Sequence, residues 1–348
     1  MSNNSTSFQN KMDESMKKIH TQTFDNWIQN FAINLENIWN ESSAKELESE
    51  NNQKQKNNSA IIIGRGPSIK KHKHLELLAQ SNYKGSVICT DGSLIGALKA
   101  GITPEKFPKF YVVTIDPYQI IDKFYDDPVV RKFGSKINGI FSTITHPKVV
   151  SLARNAGIKI HWLHTLFDYN EGQKSFNHIS AMMVRAKNHV NGLPAIQTGG
   201  NAGTSSWFVA WRILKNNPVA LIGINHGWEE DEDVSEMIKS HQREVTKDNI
   251  EIIKKDNPKY KNYFKKIHNP DFNCEAIVDP LYQFYRMALL EFISRSPSWL
   301  TTINATEGGS IFGKRIKASN IAGLLIEKYF EHIPNIEHIP KVIISNLV

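Results

Sequence analysis

The sequence predicts an α/β fold, a Rossmann-like and mainly parallel sheet flanked by helices and preceded by a helical extension. Three observations carry this. From Ala60 onward, short apolar runs alternate with segments of helical period, which is the signature of βαβ units. Two of the intervening turns are glycine-rich, Gly64-Arg65-Gly66-Pro67-Ser68 and Gly199-Gly200-Asn201-Ala202-Gly203-Thr204. Before Ala60 the apolar residues recur only at three- and four-residue intervals, a helical period without a strand pattern.

With 348 residues the chain has material for about two structural units. We divide it into an amphipathic helix and flexible linker (1–58), an α/β domain (59–332) carrying a cap insertion at about 231–275, and a C-terminal tail (333–348). No apolar run approaches the ~18 residues of a membrane helix, and no secretory leader is evident. A cytoplasmic protein without a membrane span is therefore expected. Two widely separated cysteines, Cys89 and Cys274, suggest neither a disulfide framework nor a zinc site. The excess of 42 Lys and Arg over 35 Asp and Glu, a net charge of +7, suits an anionic ligand. The lysines are dispersed rather than clustered with aromatics, so the expected partners are a nucleotide and a small-molecule acceptor, not nucleic acid. A homo-oligomer is compatible with the composition, which leaves its order open.

In chain order, Phe24, Trp27, Phe31, Leu35, Ile38 and Trp39 form one helical face, with Asp25, Asn30, Asn34 and Glu36 assigned to the wet face. This helix is expected to dock on the main domain. Glu48 to Asn58 contains no apolar residue and reads as the linker. Strands are predicted at Ala60–Ile63, Ser86–Cys89, Phe110–Thr114, Gly139–Ser142, Lys159–Leu163 and Val219–Ile224. Helices are predicted at Ser68–Gln80, Leu94–Ala100, Pro147–Ala156, Thr204–Lys215, Pro280–Ser294 and Asn320–Glu331. Asp231 to Cys274 shows no clear strand and reads as the cap. Parallel strands gather their C-terminal ends at one edge, where ligands of such sheets bind.

Five strand-end or turn clusters could meet there. Gly64, Gly66 and Ser68 would admit a phosphate to a helix N-terminus, or form a plain strand-to-helix turn. Asp91 and Asp116, at neighbouring strand ends, could share Mg²⁺ that carries nucleotide phosphates, and Asp91 alone could be an N-cap. Gly199, Gly200, Asn201, Gly203 and Thr204 offer a second cradle. His226, with Trp228 beside it, could be a general base or a packed core histidine. Asn304, Thr306 and Glu307, beside Gly308 and Gly309, offer polar contacts for a base or ribose. The acidic run from Glu229 reads as a solvated face, and His72 and His74 lack the spacing of a helical metal pair.

The Ile63-to-Ser68 loop, the Asp91–Asp116 segment enclosing Ala100-Gly101-Ile102-Thr103-Pro104, the Gly199-to-Thr204 turn and Ile303-Asn304-Ala305-Thr306-Glu307-Gly308-Gly309 occur in an order that resembles the MptE-like family, also called DUF115 or MAF_flag10. The resemblance covers about Ala60 to Phe330. It implies two branches. One is similar to kinases that transfer diphosphate from ATP, with Mg²⁺, to 6-hydroxymethyl-7,8-dihydropterin. The other looks like motility accessory factors, glycosyltransferases that use a nucleotide-activated (CMP-type) acidic sugar. In the kinase branch the third strand typically ends in an Asp-Leu-Asp cluster, whereas here it reads Thr114-Ile115-Asp116-Pro117. On the kinase reading Asp91 and Asp116 hold the metal and the glycine turns cradle the triphosphate. On the glycosyltransferase reading His226 is the acid or base. A binding module without chemistry is the third reading.

Overall fold

The computed structural model describes residues 2–50, 58–166, 170–171, 174–185, 192–230 and 264–325. The linker at 51–57, most of the cap at 231–263 and the tail lie outside the described residues.

The fold is α/β, as the alternation of apolar runs and helical segments requires. The main sheet contains β1 (Ser42–Ser43), β2 (Ala60–Ile63), β3 (Ser86–Thr90), β4 (Phe110–Thr114), β5 (Asn138–Ser142) and β6 (Lys159–Leu166). A ribbon of β7 (Asn170–Glu171) and β8 (Lys174–Ser175) follows, then β9 (Ala195–Gln197) and β10 (Val219–Ile222). Next come β11 (Trp228–Glu229), β12 (Lys265–Asn269) and β13 (Cys274–Val278), and finally β14 (Thr302–Asn304) and β15 (Ile316–Ala318). The order across the main sheet is β1-β6-β5-β4-β3-β2-β10-β14-β15, with β9 extending the β6 edge, and all its pairings are parallel.

Strands β2, β3 and β4 are buried on both faces, which is why their sequences are apolar without alternation. Ile61 and Ile63 of β2 join the core on one face, Ala60 and Ile62 the core on the other. After β2 the chain moves stepwise toward β6, and β10 and β14 then add on the opposite side of β2. The direction of winding therefore reverses between β2 and β10.

Several local expectations change. The helix expected at 68–80 is two pieces, Ser68–Lys71 and His74–Gln80, because Lys73 takes a left-handed conformation with φ 53°. A one-turn first piece sums few peptide dipoles, which weakens the anion-favouring helix end predicted there. The helix after β3 starts at Asp91 itself, and the one after the second glycine turn runs Ala202–Phe208 before widening into a π turn at Val209–Ile213. Part of the predicted cap is sheet after all. β11, β13 and β12 form an antiparallel three-stranded sheet, docked by Asn269 Nδ2 donating to the Gly309 carbonyl at 2.8 Å.

The N-terminal helix, Ser2–Asn40, reverses one expectation more sharply. Asn30 and Asn34 are buried, not wet. Asn30 Nδ2 donates to the carbonyls of Pro117 (2.9 Å) and Ile144 (3.0 Å), and Asn34 Nδ2 to those of Thr143 (3.2 Å) and Thr145 (2.7 Å). Those loops leave the C-terminal ends of β4 and β5, so the amides pair carbonyls that no ladder reaches. Phe31 and Ile38 bury beside them, while Trp39 remains largely exposed. Beyond the helix, Ser42–Ser43 joins the sheet as its edge strand, beside β6.

Removing the Asn34 amide should strand two buried carbonyls. Asn34→Ala is expected to lower unfolding free energy by about 2–6 kcal/mol, at about 1–3 kcal/mol for each of the two orphaned carbonyls, in a urea titration. An unchanged midpoint would show that these carbonyls have another partner.

Candidate active site at the C-terminal edge of strands 2 to 4

The turn after β2 and the turn after β10 are locked together. Gly64 N–H donates to the Ile222 carbonyl and Gly66 N–H to the Gly223 carbonyl, both at 2.8 Å. A Cβ on Gly66 would lie 2.0 Å from Asn225 Oδ1, and one on Gly64 would lie 2.3 Å from the Gly223 carbonyl oxygen. Ser68 Oγ donates to the same Asn225 Oδ1 at 2.9 Å. The first turn therefore needs its glycines for the neighbouring turn of the protein, and those two N–H groups are spent there.

The second glycine turn is likewise committed. Gly200, at φ 80°, faces Tyr285 so closely that a Cβ would lie 2.7 Å from its ring. A Cβ on Gly199 would lie 3.0 Å from the Thr204 side chain and 3.3 Å from Ala288 and Phe292, and one on Gly203 would lie 2.9 Å from Ile224. Asn201 caps the following helix, its Oδ1 accepting from Thr204 N–H at 2.9 Å.

The third cluster is internal as well. Asn304 Nδ2 donates to the Ile311 carbonyl (2.7 Å), and its Oδ1 accepts from Thr306 N–H (2.9 Å). Thr306 Oγ1 accepts from Ile224 N–H at 3.3 Å. Glu307 Oε1 lies 3.2 Å from His74 Nε2 and accepts from Ile321 N–H at 3.2 Å, and its other oxygen lies 3.7 Å from His72 Nδ1. Glu229, expected to be solvated, is buried and paired with Lys71. Its burial follows from β11, which carries it under the hairpin.

What remains for chemistry lies over β2, β3 and β4. Asp91 is buried at the start of its helix. One carboxyl oxygen accepts from Gly92 N–H at 2.6 Å, and the other, Oδ2, is buried without a hydrogen-bond partner among the described residues. Burial, reinforced by the nearby charge of Asp116, pushes its pKa up to about 7. Asp116 is half-buried, accepts from Tyr118 N–H at 3.0 Å, and is pushed up to about 6 by burial. The two carboxyl groups predicted to act together are thus brought close enough to influence each other electrostatically. Arg65, between the two glycines of the first turn, is exposed beside Asp91.

His226 sits elsewhere, buried in a left-handed conformation (φ 42°) with its ring 6.1 Å from that of Tyr285. Burial, with the Arg286 charge added, drives its pKa down to about 3, far from the near-neutral value that suits a general base. Helix Pro280–Arg295 supplies both neighbours, and Arg286 Nε donates to the Ser310 carbonyl at 2.8 Å.

The model of the family described as 6-hydroxymethylpterin diphosphokinase MptE-like matches residues 29–231. The chain belongs to this family. The match begins inside the N-terminal helix, before the seam placed at 58, and spans the Asn30 contacts and both candidate carboxyl groups, Asp91 and Asp116. A solved structure described as the MAf glycosyltransferase from Magnetospirillum magneticum AMB-1 is similar at 15% identity with a TM-score of 0.49, over 76% of this chain and 34% of that one. The chain thus spans about a third of that protein's length. No curated protein matches it. Among the described residues no helix is long and apolar enough to cross a membrane, and no group of three or more metal-ligating side chains occurs.

Residues that sequence reasoning passed over are Arg65, Asn30, Tyr118 and Tyr285. Arg65 was legible as the one charged side chain in a glycine turn, and Asn30 and Asn34 as an amide pair four residues apart beside an apolar face. Nothing local marks Tyr285, which comes from a distant helix to lie near His226 and Asp116: its ring is 6.1 Å from that of His226, and burial, with the Asp116 charge among its neighbours, raises its pKa.

Two measurements test this geometry. Gly66→Ala should cost about 3 kcal/mol through overpacking, and Asn225→Ala in the same chain should recover part of it, as read from a denaturation cycle. Equal costs in both backgrounds would separate the two turns. Because the native pKa of Asp91 lies above its ordinary value, its contribution is fully present below about pH 4 and is lost as the pH rises through about 7. In metal-free buffer Asp91→Asn should flatten that decline and raise stability at pH 8 by up to about 4 kcal/mol. Parallel pH profiles for the two proteins would refute the assignment.

Proposed function

We propose that the chain is a nucleotide-dependent transferase whose donor phosphates lie over the C-terminal ends of β3 and β4. The observation that carries this is the Asp91–Asp116 pair: two carboxyl groups held at neighbouring strand ends, one with a buried oxygen that has no protein hydrogen bond among the described residues. Proteins seldom bury such a group without a partner, and an all-oxygen pair suits Mg²⁺, which takes one or two carboxylates and completes its shell with water and phosphate. Asp91 and Asp116 would hold the ion, which would supply charge neutralisation to the phosphate chain.

Family membership supports the more specific reading, transfer of diphosphate from ATP to the hydroxyl of 6-hydroxymethyl-7,8-dihydropterin with AMP as leaving group. Catalysis of that reaction rests on positioning and charge. The chain's own contribution is then to fix the carboxylates. Asn30 holds the Pro117 carbonyl directly after Asp116, and Asp116 turns back onto Tyr118. A CMP-sugar glycosyltransferase would leave the buried carboxyl pair without a task, and its acid or base would be His226, whose neutral, buried ring is poorly matched to that role.

Calorimetric titration tests the reading. ATP is expected to bind at least tenfold more tightly with Mg²⁺ than without, and Asp91→Asn or Asp116→Asn should abolish the difference. ATP binding indifferent to Mg²⁺ and to Asp116→Asn would overturn it, and Mg²⁺-independent CMP binding with sugar turnover would install the glycosyltransferase in its place.

A further inference from the structure

The turn expected to cradle phosphate with its backbone has committed two of its N–H groups to β10 and its turn, yet it holds out one cation. Arg65 is exposed, and its side chain makes no hydrogen bond or ion pair among the described residues. It is nevertheless held in place. The guanidinium carbon lies 5.4 Å from the centre of the Phe124 ring, and the stem passes over Gly92, where a Cβ would be 3.1 Å from Arg65 Cδ. On the same ring, 5.3 Å from its centre, lies the ammonium of exposed Lys123. Two cations share one aromatic ring beside the carboxyl of Asp91. The neighbouring cation Lys148 is already paired with Asp122 at 2.7 Å.

Two like charges close to one ring repel each other. An anion bound beside them would relieve the repulsion. A guanidinium stacked by its face keeps its edge donors free for the oxygens of a phosphate, in a fork that an ammonium cannot match. Stacking also removes much of the rotamer freedom that binding would otherwise have to freeze. The Arg65 backbone is held by the flanking glycines, so the donors are aimed before any ligand arrives.

We infer that Arg65, stacked on Phe124 and assisted by Lys123, is the clamp for the phosphate chain of the donor, and that it favours a diphosphate over a monophosphate. This rests on the nucleotide reading above. Arg65 is a specificity-determining residue for the phosphate chain, and it performs the task that the glycine backbone was expected to perform.

The test is calorimetry on the full chain at one fixed salt concentration, with adenosine, AMP, ADP and inorganic pyrophosphate as probes. Wild type should bind ADP and pyrophosphate more tightly than AMP. Arg65→Met should weaken both by about ten- to a hundredfold and leave adenosine unchanged, since the lost contacts are charge-assisted hydrogen bonds. Arg65→Lys should restore only part of the loss, and Lys123→Met should cost several-fold. Retention of ADP and pyrophosphate affinity within twofold in Arg65→Met overturns the clamp while the nucleotide reading stands. Arg65-dependent pyrophosphate binding without binding of any nucleotide upholds the clamp and sinks the nucleotide reading. Absence of all binding to wild type sinks both.

Discussion

Asn225 is the point at which three turns of the chain become one structure. Its side-chain oxygen occupies the space that a Cβ at Gly66 would need and accepts from Ser68, while its carbonyl accepts from Ser310 N–H at 2.8 Å. A Cβ on Gly309 would lie 2.6 Å from Asn225 Cα. Backbone packed at this distance tolerates no side chain, so the glycines after β2, β10 and β14 are required by one another. The interlock ties together the strands on both sides of the point where the winding reverses. At that point the backbone N–H groups of Gly64 and Gly66 are committed to the Ile222 and Gly223 carbonyls.

The acidic pair stands in buried surroundings. Burial, reinforced by the nearby charge of Asp91, raises the pKa of Tyr125, so ionising either group costs the fold. Such a carboxyl persists only where the structure over-determines its place, and two devices do so here. The helix that begins at Asp91 holds one carboxyl. The N-terminal helix holds the other through the amide of Asn30 on the loop that carries Asp116. The helix expected to dock on the main domain is thus tied to the loop that carries Asp116, and the family match starts within it.

On the other side, helix Pro280–Arg295 brings Tyr285 and Arg286 over His226, and Asp279 caps that helix by accepting from Tyr282 N–H at 2.8 Å. His226 serves there as a neutral packed ring. The stacked rings of His72 and His74, 5.5 Å apart, meet Glu307 and join the first turn to the loop after β14. Charge on this flank is spent on holding loops, while on the β2–β4 flank one oxygen of Asp91 has no hydrogen-bond partner among the described residues and Arg65 is exposed.

The sheet was legible in the sequence because a strand buried on both faces is an uninterrupted apolar run, and that is a local property. Ala60–Ile63 and Phe110–Thr114 match their predicted limits for this reason. Asp91 and Asp116 were legible as candidates because each directly follows such a run. What each polar group touches was not legible, since the partner lies far away in sequence. Asn30 and Asn34 read as wet until the loops after β4 and β5 supplied carbonyls more than 80 residues away. Glycine marks a close approach without saying to what, and the tertiary structure assigned it to protein instead of ligand. The sequence by itself determined where the six central strands, β2 to β6 and β10, run and which carboxylates follow two of them. Only the packing of distant turns decided which of the flexible or charged residues remained free to meet a ligand, because a hydrogen bond or a van der Waals contact is settled by proximity in space.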